Sequence, residues 1–70
     1  MNIRNEEHAH EMLVEWQKLP VLARKREIKL AMGKLELSSM YYEQKGNDKG
    51  MKRAERCIFI LKEHLVTLEE

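Results

Sequence analysis

The sequence predicts an all-α protein, an N-terminal amphipathic helix followed by a long antiparallel αα-hairpin that dimerises into a helical bundle. Three observations lead there. Apolar residues recur at three- and four-residue steps along most of the 70 residues. Strong helix formers (Glu, Lys, Leu, Met) are abundant, β-branched residues are few and scattered, and no alternating strand pattern occurs. The chain is also short: a single domain of this size buries little apolar surface on its own, so association with a second copy is expected from length alone.

The first helix is expected over about residues 5–19. Asn5 is a short polar side chain able to cap free amides, and Glu6 and Glu7 suit the positive end of the helix dipole. Ala9, Met12, Leu13, Trp16 and Leu19 share one side, opposite a charged arc. Pro20 lacks an amide and disfavours helical angles at Leu19, so the helix ends or kinks there.

The second helix, about 20–45, is apolar on two sides. Val21, Ile28, Met32, Leu35 and Tyr42 share one; Leu30, Leu37 and Tyr41 share the roughly opposite one. A helix of this kind must be covered twice. The third, about 49–69, has the most regular pattern: Met51, Ala54, Ile58, Leu61, Leu65 and Leu68 form a seam suited to side-by-side packing, while Phe59 and Val66 lie well off it. Between them, Gly46 suits a left-handed helix end and Asn47 or Asp48 a new cap, so the two long helices fold back as neighbours.

Leu37, Tyr41, Tyr42, Gln44 and Gly46, followed by the small residues Gly50, Ala54 and Cys57, resemble one tetratricopeptide unit over about twenty residues. The resemblance implies a helical hairpin. A single unit does not make a solenoid, which needs about three or more.

Composition excludes several function classes. The one cysteine, Cys57, allows no internal disulfide and no cysteine-based zinc site, which points to a reducing, cytoplasmic setting. No segment approaches the length of apolar run that spans a membrane, and the N-terminus does not read as a secretory signal. Glu7 and His10 have the Glu-x-x-His spacing of di-iron bundles, but they fall in the first turns of helix 1 and point away from Met12 and Trp16; a solvated face is expected. His64 reads as a flank residue near a helix C-terminus, and Cys57 as a small core residue beside the seam. No phosphate-binding glycine loop and no serine with a base at a recognisable spacing occurs, so enzyme activity, a cofactor and a metal are not expected.

Charge is unevenly spread. Residues 1–19 carry −2, residues 20–62 carry +6 and residues 63–70 carry −3. Arg24, Lys25 and Arg26 begin helix 2, and Lys45, Lys49, Lys52, Arg53 and Arg56 crowd the hairpin tip, a candidate contact for nucleic acid or an acidic partner. Folding about residue 47 is expected to bring Arg24 to Arg26 near Glu69 and Glu70 and Glu43 opposite Lys52, with the acids of helix 1 masking further charge. A helix-turn-helix is the other nucleic-acid reading: Ser38 would cap a recognition helix bearing Ser39, Tyr41 and Gln44, although Glu36 stands where that motif has a turn glycine and Met32 where it has a small residue.

The expected function is therefore non-enzymatic: a small helical regulator or adaptor that binds a larger protein and itself. Leu30, Leu37, Tyr41, Phe59 and Val66 are the candidate self-association surface. The alternative is a small DNA-binding regulator using the basic tip or the Ser38 to Gln44 segment.

Overall fold

The computed structural model describes residues 2–69. It contains three helices, α1 (Glu6–Trp16), α2 (Val21–Gln44) and α3 (Asp48–Glu69), and no strand among the described residues. The longest dimension is 38 Å, close to the roughly 36 Å that the 24 residues of α2 span at 1.5 Å each. α2 and α3 form the antiparallel hairpin, and α1 lies across it, mainly against α3.

The ends of the helices are set by the expected residues. Asn5 accepts a hydrogen bond at Oδ1 from the His8 amide (2.8 Å), and His8 Nδ1 accepts one from the Arg4 amide (3.0 Å), so two amides at the start of α1 are satisfied reciprocally. At the tip, the Gly46 amide donates to the Glu43 carbonyl and the Asn47 amide to the Tyr42 carbonyl, a Schellman turn. Gly46 supplies its left-handed residue at φ +71°. Asn47 then caps α3 by accepting from the Gly50 amide at 2.9 Å.

The α1–α2 junction is a full break. After Trp16 the backbone winds on as i→i−3 turns through Leu19, and Pro20 takes φ −57°, ψ 155° before α2 starts. Arg24 fills this corner. Its guanidinium donates to the carbonyls of Trp16, Gln17 and Leu19 at 3.1 to 3.3 Å, satisfying acceptors beyond the end of α1 and adding a second donor to the Trp16 carbonyl, which the Leu19 amide also reaches. Arg24 forms no ion pair with Glu69 among the described residues, its guanidinium being engaged by backbone carbonyls. Glu70 lies outside the described residues. Replacing Arg24 by Ala is expected to lower stability by about 1–3 kcal/mol, the range for removing the donor from part-buried acceptors; urea unfolding followed by the single tryptophan checks it.

The core is formed by Ala9, Met12, Leu13 and Trp16 of α1, Ile28, Ala31 and Leu35 of α2, and Cys57, Leu61 and Leu65 of α3, with Ala54 also buried. Met32, Ile58 and Leu68 pack partly against it. Val21, expected on the core side of α2, is exposed: it occupies the first turn after the break, where the periodic pattern gives a direction but no neighbour covers it. The small residues of the tetratricopeptide-like pattern, Gly50, Ala54 and Cys57, are all buried on α3. At Gly50 the approach is closest: a Cβ there would lie 2.8 Å from the Tyr42 ring. α2 runs unbroken through Ser38, so residues 38–44 are not a separate recognition helix and the helix-turn-helix reading fails.

Candidate functional site

The outward face of α2 carries most of the exposed large apolar side chains among the described residues. Leu22, Leu30, Leu37, Met40 and Tyr41 are all more than half exposed, Leu22 reaching 81% and Leu37 68%. Together with Arg26, Gly33 and Gln44 they follow four- and three-residue steps, the spacing of a helix seam. At about 100° per residue this stripe lies roughly 160° around the helix from buried Ile28, Ala31 and Leu35. Leu22, Lys25, Arg26, Lys29 and Leu30 line an open groove at its N-terminal end. The sequence reading found Leu30, Leu37 and Tyr41 but not Leu22 or Met40; the seam spacing was the available signal, obscured because Arg26, Gly33 and Gln44 interrupt it.

Phe59 and Val66, 60% and 50% exposed, stand on α3 roughly 150° from the buried Ala54, Cys57 and Leu61. α2 and α3 contribute their buried faces to one core with α1, so each outward face is turned away from that core. The five candidate interface residues are all exposed, and they stand on the outward faces of two helices. Beside Phe59 a second open groove is lined by Glu6, Glu55, Arg56 and Ile60.

At the basic tip, Arg56 Nε donates to Glu6 Oε2 at 2.8 Å, joining α3 to the start of α1. Glu6 thus masks one base of the tip. The Arg56 guanidinium beside Glu6 holds its carboxyl below the usual carboxylate range. Glu6 therefore binds its proton less readily folded than unfolded, and the stability it adds is present above about pH 4.5 and lost as pH falls through its lower folded value. The Glu6→Gln protein is expected to lose that part of the acid dependence, read from urea midpoints between neutral and acid pH. Lys45 places its Nζ 5.7 Å from the centre of the Tyr41 ring. Lys49, Lys52 and Arg53 are exposed, and Lys52 and Glu43 form no ion pair among the described residues.

The candidate chemical groups are placed as follows. Cys57 is buried, and burial pushes its thiol up, away from nucleophilic reactivity. Glu7 and His10 are exposed, and no group of three or more His, Cys, Asp or Glu side chains gathers among the described residues. His64 is more enclosed than a flank residue: its Nε2 is buried without a hydrogen-bond partner, and His10, Leu13 and Ile60 line the same depression. Among the described residues no helix is long and apolar enough to cross a membrane.

These features define a class, a three-helix all-α protein with two outward apolar faces. No family model matches the chain, and no curated protein or solved structure is significantly similar to it.

Proposed function

We propose that this protein is a small non-enzymatic helical adaptor or regulator, acting in the cytoplasm by binding a larger protein partner and a second copy of itself. The observation that carries the reading is the placement of large apolar side chains on the outward faces of two helices, Leu22 to Tyr41 on α2 and Phe59 with Val66 on α3. Monomeric proteins expose contiguous apolar patches sparingly, and such patches mark interaction surfaces. A helix presenting anchors at three- and four-residue steps suits helix-in-groove recognition, with the uneven charge orienting the partner. Cys57, buried and unpaired, is compatible with a reducing compartment.

The test is capture of partners from cells by tagged wild-type protein against Phe59→Asp and Val66→Asp. Both positions are exposed, so the variants should keep their helical circular dichroism while losing the partner. Retention of every partner by both variants overturns the reading of the α3 face. The basic tip supports DNA binding as a second reading through exposed Lys45, Lys49, Lys52 and Arg53. Steeply salt-dependent binding to random duplex, lost on reversing Lys49 and Lys52, would favour it over the first.

A further inference from the structure

We infer that the outward face of α2 pairs with the same face of a second copy, antiparallel and about a two-fold axis near Gly33 and Lys34. This deepens, and rests on, the reading that the protein associates with itself; it assigns that role to α2 and leaves Phe59 and Val66 for another partner.

The argument begins with charge. Lys25 and Lys29 occupy one flank of the α2 stripe in its N-terminal half, and Glu36 and Glu43 occupy the same flank in its C-terminal half. Among the described residues none of the four forms an ion pair. Lys25 and Lys29, four apart, repel each other along the helix, so within one chain the arrangement is unfavourable. An antiparallel two-fold pairing places that flank against itself in reverse. With partnered residue numbers summing to 65 to 68, Lys29 then meets Glu36 of the second copy and Lys25 meets Glu43, each contact made twice by symmetry. A parallel two-fold pairing would turn this flank toward the opposite flank of the second copy, where neither lysine meets Glu36 or Glu43, so the pattern selects direction as well as partner.

The apolar residues fit the same register. Leu30 falls in a layer with Leu37 of the second copy, and Leu37 with Leu30. Leu22, Lys25, Arg26 and Lys29 are spaced as the four corners of a hole on a helix surface, and they line an open groove. The register brings Met40 and Tyr41 of the second copy over it as knobs. At the centre is Gly33, exposed, with open space around any added Cβ. No contact among the described residues requires glycine there, and glycine inside a helix is destabilising relative to alanine. Close approach of a second backbone at the axis accounts for it. The symmetry also brings Lys34 near its own copy, a like-charge contact that works against the pairing at its centre.

The experiment is sedimentation equilibrium of the full chain over a wide concentration range, for wild type, Lys29→Glu, Glu36→Lys, the combined exchange, and Leu37→Asp. Wild type should be a dimer. Each single reversal turns two attractions into two repulsions and should raise the dissociation constant about tenfold, equivalent to about 1.4 kcal/mol. The combined exchange should restore it to within about threefold of wild type, since the pair is swapped as a unit. Leu37→Asp should be monomeric with unchanged helical circular dichroism, because Leu37 is exposed in the single chain. A wild-type monomer at every concentration, a dimer indifferent to both reversals, a combined exchange no better than the singles, or a mass that grows beyond the dimer each overturns the pairing. A monomer that still captures a partner through Phe59 overturns this inference alone. A dimer of the expected charge dependence whose partners ignore Phe59→Asp overturns the α3 reading alone.

Discussion

Leu61→Ala is expected to cost about 3–4 kcal/mol and to leave a large fraction of the protein unfolded at physiological temperature. Leu61 is completely buried at the centre of α3, where side chains of all three helices meet in one cluster. Truncating such a leucine removes its transfer free energy and leaves a cavity that rigid helices only partly refill, with typical losses of about 2–5 kcal/mol. A chain this long has a total stability of only about 3–10 kcal/mol, at roughly 0.05–0.15 kcal/mol per residue. One core substitution therefore consumes much of what holds the fold. Trp16, itself buried, reports the loss through fluorescence in a urea titration. Leu37→Ala is the control: in dilute protein, where any dimer is dissociated, its urea midpoint should stay within the range of an ordinary surface change, about 0.5 kcal/mol. A Leu61→Ala midpoint equal to that of wild type would mean that α3 is not the centre of the core.

The contrast between these two leucines was legible in the sequence, because Leu61 sits on the three-and-four seam of α3 while Leu37 falls opposite Ile28 and Leu35. The helix ends were legible too: Asn5, Gly46 and Asn47 act through short-range bonds that depend on local chain alone. What the pattern could not reveal depends on angles between helices. Arg24 reads as one of three consecutive surface bases, yet it closes the end of α1, because Pro20 turns the chain so that α2 starts beside the open carbonyls. Phe59 and Leu30 read alike as residues off the core, but whether they share a surface depends on how α2 and α3 face each other. Val21 has the correct phase for burial and no neighbour to bury it. Periodicity gives the direction of a side chain; only packing decides what lies in that direction.

Gly50→Ala is expected to lower stability by about 1–2 kcal/mol, even though alanine is the better helix former. Gly50 lies in the first turn of α3 and its amide is held by the Asn47 cap. On propensity alone the change would stabilise by about 1 kcal/mol. Opposing this, the new Cβ would lie 2.8 Å from both Cγ and Cδ1 of Tyr42 and 3.0 Å from Cδ2. These atoms are the base of the ring and cannot swing away as the end of a flexible chain would. Tyr42 is further fixed by its place just before the Schellman turn, whose bond from the Asn47 amide ends on the Tyr42 carbonyl. Overpacking of this kind costs about 1–3 kcal/mol, enough to outweigh the propensity gain. The two effects separate in a double-mutant cycle. With Tyr42→Ala as background, the obstruction is gone and Gly50→Ala should change sign, stabilising by up to about 1 kcal/mol. If Gly50→Ala stabilises the wild-type chain as well, the helices do not approach this closely and Gly50 is not what sets their spacing at the tip.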